Sequence, residues 1–266
     1  MNIYFHELKS YRKTTLIWIV SLSLITIMFL SVYTSFTKDV ATSKKIIESL
    51  PAVVRKGLGI SLDNFFTIYG LYAYLYLYVL LAGSIQAMNY GVGIFNKEFS
   101  SKTADFLYSK PTSRVNIVSQ KLAAALSLIA VTNVIFIAVA YLSASVISKQ
   151  SLDARLFILI SATLFFVQLA FFSIGMLMSV VLPKVKSVIA VSLPTVFSFF
   201  IIGTIGSVIG NQSVRYISPF KYFDTNSIIA TRSYEVKYLV IELIVVAIAV
   251  VASYYLFVHK DIRAVN

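Results

Sequence analysis

The chain has 266 residues, of which 58% are apolar and 13% charged, where an ordinary soluble domain carries roughly 25% charged residues; this composition marks an integral membrane protein. Lys and Arg outnumber Asp and Glu by 23 to 11, a formal net charge of +12, and charges confined to loops point to anionic headgroups rather than to nucleic acid. The absence of cysteine excludes disulfides, thiolate metal sites and cysteine nucleophiles, and His6 and His259 at opposite ends of the chain make no metal site.

A helix that crosses the hydrocarbon core needs roughly 20 predominantly apolar residues. Five charge-free windows are long enough by themselves, 14–37, 64–96, 122–148, 156–183 and 187–214. A sixth apolar run, 243–258, becomes a full span from 238 if Glu242 lies near an end where its carboxylate reaches water. The expected fold is therefore all-α, a single transmembrane domain over 1–266 with spans at 14–37, 66–95, 115–147, 156–182, 187–210 and 238–258. The first window follows Lys9, Arg12 and Lys13 but is too long for the apolar region of a signal peptide, so it is read as an anchor. A β-barrel is rejected because only Leu71–Tyr78 alternates, and both of its faces are apolar. With the N-terminus inside, cytoplasmic segments hold 12 basic residues and outer ones 11, while 4 acidic residues fall inside and 7 outside. Together with the shorter inner segments, this favours cytoplasmic N- and C-termini.

The first outer loop, 38–63, holds Lys44–Ile60, which reads either as an interfacial helix pair broken at Pro51 or as a plain folded loop. Before the last span, Tyr216, Phe220, Tyr222 and Phe223 beside Arg215 and Lys221 suit the headgroup level, as short helices on or in the outer leaflet. In the fifth span Pro194 weakens the helix, and Gly206 with Gly210 form a GxxxG spacing suited to close helix contact. Within the spans the polar side chains are chiefly amides and hydroxyls, with Gln86, Asn89, Asn133 and Gln168 as candidates for a substrate path. No charged group lies centrally, which disfavours an ion-coupled carrier. The chain has neither a GxxxxGK[ST] phosphate loop nor HExxH, so energy for any work must come from elsewhere.

The segment 96–114 between the second and third spans mixes Lys97, Glu98, Lys102, Asp105, Lys110 and Arg114 with Phe99, Phe106, Leu107 and Tyr108. Residues 101–109 can form about two amphipathic turns that Pro111 ends. A helix displayed in this way fits a groove in a partner.

Glu98, then SSKTADFLYSKPTSR and Lys121, resembles the signature between the second and third spans of type-2 ABC exporter permeases, with Lys102-Thr103 where Gly-Thr is common. SPFKYFD, Ser218–Asp224, and FVHKDI, Phe257–Ile262, are similar to that family's motifs before and after its last span, and the resemblance runs along essentially the whole chain. It implies a coupling helix seated in a separate cytoplasmic ABC ATPase: Glu98 and Arg114 as flanking polar contacts, Phe99 beside them, Thr103, Phe106 and Leu107 as the packed face, and Pro111 as the bend. It further implies an N-terminal interfacial elbow helix over 1–13, a second permease in a homo- or heterodimer, contact with membrane lipid, and a plasma-membrane location. No cofactor is expected in this chain, since ATP and Mg would belong to the ATPase, and no enzymatic activity of its own. The uncharged, aromatic-rich interior suits an amphipathic drug, antimicrobial peptide or lipid-like cargo. The competing reading is a membrane-embedded sensor or scaffold that docks a cytoplasmic partner without transport.

Overall fold

The computed structural model describes residues 2–33, 40–57, 60, 64–100, 113–148, 151–182 and 185–259, apart from the side chains of 41, 56, 98–100 and 212. Its long helices are α1 (Ile3–Ser31), α4 (Ile68–Ser100), α5 (Arg114–Ser148), α6 (Ala154–Val181), α7 (Val188–Ile209) and α9 (Val236–His259). Among the described residues these are the 6 helices long and apolar enough to cross a membrane, and no strand occurs. Between them lie α2 (Val40–Ser49), α3 (Ala52–Gly57), two 3₁₀ turns (Gln212–Tyr216 and Pro219–Lys221) and α8 (Thr225–Thr231). α1 starts and α9 finishes at the same end, here called proximal; the opposite end is distal.

Residues 3–13, within the segment expected as an interfacial elbow helix, are the first turns of α1, one helix of 29 residues that continues into the first span. At 1.5 Å per residue it is about 43 Å long, more than the roughly 30 Å hydrocarbon core. Its length exceeds what an upright crossing of the core requires. The free N–H groups at its start are met by a side chain from α5: Gln120 Oε1 accepts from Ile3 N at 2.9 Å and Tyr4 N at 3.2 Å.

α4 and α6 form the buried centre, with α1 and α5 on one flank and α7 and α9 presenting most of their surface outward. In lipid such exposed apolar faces cost nothing, so close packing must hold the helices together. Gly91 and Gly175 supply it. A Cβ on Gly91 would lie 2.3 Å from the carbonyl oxygen of Phe172, and one on Gly175 would lie 2.7 Å from that of Met88. The alternating stretch of α4 shows why it is a helix: Tyr72 and Tyr76 share an inward face, where Tyr72 stacks on Phe157 at 4.5 Å, while Tyr78 turns to Phe29 on α1.

At the distal end α2 and α3 are the helix pair broken at Leu50–Pro51, and Arg55 closes the corner by donating to the carbonyls of Glu48 at 2.8 Å and Leu50 at 2.9 Å. The glycines of α7 serve its own following segment rather than a neighbouring span. A Cβ on Gly203 would meet Ser218 Oγ at 2.7 Å, one on Gly206 would meet Val214 at 2.4 Å, and Gly210 ends the helix at φ 76°. α7 itself continues through Pro194.

Glu242 departs from expectation. It lies seven residues into α9 and is 1% exposed, and among the described residues neither carboxylate oxygen has a hydrogen-bond partner. One turn before it, Tyr238 stacks on Tyr222 of the distal segment at 6.2 Å.

Candidate functional site

α4 ends and α5 begins on either side of 101–112, which lies outside the described residues, and with it Thr103, Phe106, Leu107 and Pro111. Glu98 and Phe99 occupy the last turn of α4, their side chains undescribed. The flanks are well defined. Arg114, the first residue of α5, donates from Nη1 to the carbonyl of Val258 on α9 at 3.0 Å. Lys97, at the end of α4, pairs with Glu7 of α1 at 2.6 Å. Lys121 of α5 lies 3.9 Å from the other oxygen of Glu7, donates to the carbonyl of Ile94 at 2.5 Å, and stands 5.9 Å from the ring of Phe95.

Glu7 is 1% exposed and Lys121 is fully buried, so each charge has given up its water: Glu7 faces Lys97 and Lys121, and Lys121 faces Glu7 and the Ile94 carbonyl. With the Gln120 cap on α1, these contacts join the proximal ends of α1, α4, α5 and α9 around the two sides of 101–112. The resemblance pointed to Lys121 and Arg114 but not to Glu7. The available signal was that Glu7 is the one acidic residue before Asp39, within an otherwise basic segment.

At membrane depth, three of the four intramembrane candidates meet. Asn133 Nδ2 donates to Gln168 Oε1 at 2.6 Å, and Gln168 Nε2 donates to Gln86 Oε1 and to the Gly83 carbonyl, both at 3.1 Å. Gln86 Nε2 continues to Thr132 Oγ1 at 3.0 Å and to Tyr90 OH at 3.1 Å, and the Tyr90 hydroxyl lies 2.8 Å from Thr15 Oγ1. The chain of contacts ties α6, α4, α5 and α1 together through groups that would otherwise be unpaired in hydrocarbon. Asn89, a turn beyond Gln86, stays outside it, and among the described residues its buried Oδ1, like that of Asn133, has no hydrogen-bond partner. Thr15, Thr132 and Tyr90 were not legible as members, because nothing in their spacing brings residues 75 positions apart together.

Gln168→Leu leaves both Asn133 Nδ2 and Gln86 Oε1 without this partner. Intramembrane hydrogen bonds contribute about 0.6 to 2 kcal/mol each, so the expected loss is about 1–2 kcal/mol, read as a lower unfolding midpoint of the purified protein in detergent. An unchanged midpoint would show that the network adds nothing to stability.

The distal motif Ser218–Asp224 is built into the fold residue by residue. Ser218 Oγ donates to the Phe199 carbonyl at 2.8 Å, and Pro219 opens a 3₁₀ turn. Phe220 packs on Phe171 at 5.0 Å and Phe200 at 5.6 Å. Tyr222 donates to the Tyr216 carbonyl at 2.9 Å, Phe223 stacks on Phe166 at 5.3 Å, and Asp224 caps α8 by accepting from Asn226 N at 3.1 Å. Burial pushes the Tyr222 hydroxyl above the usual tyrosine range, with Glu242 adding to the rise, and burial pushes Tyr234 up to about 12.

Comparison with known families matches residues 1–262 to the family described as "ABC-2 family transporter protein", nearly the whole chain. Comparison with curated proteins finds no match. Six apolar helices, the distal motif and a match of that extent agree, and the chain belongs to the ABC-2 family of transporter membrane proteins, as a multi-pass membrane transport component.

Proposed function

We propose that this protein is the permease subunit of an ABC exporter, driven by a separate cytoplasmic ATPase that binds ATP and Mg and docks on the segment between α4 and α5. The observation that carries this reading is the buried Glu7–Lys97–Lys121 cluster, with the Arg114–Val258 contact, at the flanks of that segment. A docking element can do work on the spans only if its ends are anchored to them, and the buried charges meet that need. In this reading Glu98, Phe99, Thr103, Phe106, Leu107, Pro111 and Arg114 form the seat. The proximal end faces the cytoplasm, with both termini, and the distal end faces outward across the plasma membrane.

A second permease, identical or related, completes the substrate path, to which Asn89 and Asn133 bring the unpartnered amide oxygens near the Gln86–Gln168 pair. ATP hydrolysis shifts the pair between inward- and outward-open states only to the extent that the ATPase binds those states with different affinity. The cargo is an amphipathic drug, an antimicrobial peptide or a lipid-like compound.

The test is purification from the native membrane with mass identification of what comes with it, for the parent and for Glu98→Ala combined with Phe106→Ala. The parent is expected to bring down an ABC ATPase in near-stoichiometric yield. The variant is expected to lose most of it with its unfolding midpoint unchanged. Equal recovery of the ATPase by the variant removes the docking assignment, and a parent that brings down no ATPase moves the protein to a sensor or scaffold role.

A further inference from the structure

Within Ser218–Asp224, among the described residues, one side chain has a charged end with no bonding role in the fold. It is that of Lys221. Its stem crosses α7 over a bare glycine, where an added Cβ on Gly203 would lie 3.3 Å from Lys221 Cγ. The half-buried side chain lines a cavity of about 340 Å³ between α4, α7 and residues 211–226. That volume lies within the range of about 300–1,000 Å³ usual for small-molecule sites.

The other charges that line the cavity are already engaged. Arg215 reaches the two carboxylate oxygens of Glu235 at 2.8 and 3.4 Å and lies 4.0 Å from the Tyr238 ring. Asp224 holds the α8 cap. Lys221 is within electrostatic reach of both, and among the described residues it forms no ion pair with either. Burial pushes its ammonium below the ordinary lysine range; Asp224 acts against that, and Arg215 adds to it. The cavity thus presents a cation that lacks a bonded counter-ion. The walls add a second constraint: the lining includes polar Asn211, Asp224 and Asn226 together with apolar Leu77, Leu80 and Phe220. Leu80 is twelve residues into α4, about 18 Å from its distal start at 1.5 Å per residue. A group that fills this space is charged at one end and apolar at the other.

We propose that the cavity binds the phosphate headgroup of an anionic amphiphile, with Lys221 as its charged contact and the α4 wall receiving the first carbons of its chain. Whether the bound amphiphile is cargo rests on the exporter reading; the binding itself does not, since it is measured on the permease alone.

The experiment titrates the purified full-length permease, by native mass spectrometry, with three probes: lysophosphatidylglycerol, the monoacylglycerol of the same chain, and glycerol 3-phosphate. A charge-assisted contact contributes about 1.5–3 kcal/mol, so lysophosphatidylglycerol is expected to bind at least about tenfold more tightly than the monoacylglycerol, and more tightly than glycerol 3-phosphate, which has no chain to bury against the α4 wall. Lys221→Gln should remove about tenfold of that affinity on the same grounds, and Lys221→Arg should keep most of it. Asp224→Asn retains a capping side chain but removes the competing anion, so it should tighten binding. Two variants that act in opposite directions separate a charge contact from damage to the fold. The proposal is overturned if Lys221→Gln and the parent bind lysophosphatidylglycerol alike, or if the monoacylglycerol binds as tightly. Equal binding of glycerol 3-phosphate also overturns it, in favour of a site for a free phosphate ester. None of these results bears on whether an ATPase drives the protein.

Discussion

Glu7→Ala is expected to lower the stability of the purified permease by about 3–5 kcal/mol, the usual cost of removing one partner of a buried ion pair. The substitution deletes the anion that faces Lys97 at 2.6 Å and Lys121 at 3.9 Å. The two lysines do not suffer equally. Lys97 is 28% exposed and can extend its ammonium to water, whereas Lys121 is fully buried, beside the Ile94 carbonyl and the face of Phe95, and cannot. Most of the loss is therefore the uncompensated charge of Lys121 rather than the attraction itself. It follows that Glu7→Leu combined with Lys121→Leu should be markedly less damaging than Glu7→Ala, because an apolar replacement of both partners leaves no stranded charge. The measurement is the unfolding midpoint of all three proteins in the same detergent. A double variant as unstable as Glu7→Ala would mean that the cluster acts through packing and not through charge. The double variant also separates stability from coupling: a folded permease without the cluster tests whether the anchored flanks are needed for ATP-driven flux.

The second large effect is expected at Gly91. Alanine is the better helix former by about 1 kcal/mol, so Gly91→Ala would stabilise α4 if the site were open. It is not open: the new Cβ would lie 2.3 Å from the Phe172 carbonyl oxygen and 2.8 Å from Met176 N. Both are backbone atoms of α6, which cannot turn aside as a side chain can. The helices must separate over the most extensive contact in the molecule, carrying Gly175 and the Gln86–Gln168 bond with them. Overpacking costs typically about 1–3 kcal/mol and more where nothing yields, and the net loss is expected near the top of that range. Gly57→Ala is the control. Its Cβ would meet only the methyls of Val208, at 3.1 Å, and Thr204, at 3.8 Å, which can move, so its effect should stay within about 1 kcal/mol. Comparable losses at the two positions would deny the α4–α6 contact its special closeness.

These two predictions differ in how much of them was legible in the sequence. Glycines at 91 and 175 are visible, and small residues in spans suggest close contacts. Yet the same reasoning paired Gly206 with Gly210 as a helix contact, whereas Gly206 receives Val214 from the segment that follows its own helix, and Gly210 is a left-handed cap. Spacing alone cannot say whether the approaching backbone belongs to another span or to the same chain turning back. Glu242 shows the complementary limit. Its position near one end of an apolar run suggested a carboxylate in water, and only the packing of the folded chain, which leaves it 1% exposed, reveals that it is buried.

What the sequence determined by itself is the membrane class, the presence of six spans, and the motifs that carry the family. Hydrophobic length is a local property, readable wherever a run of residues must replace water with lipid, and a motif is by definition contiguous. What only the tertiary structure decided is which polar groups meet. Glu7 and Lys97 are 90 residues apart, Gln86 and Gln168 are 82, and no periodicity links them. Their pairing follows from how the helices cross, and the crossing is set by backbone contacts at two glycines. Lys221 belongs to the same lesson: its motif was plain in the sequence, but that its ammonium alone lacks a bonded partner there became visible only once the other side chains of the motif had found theirs.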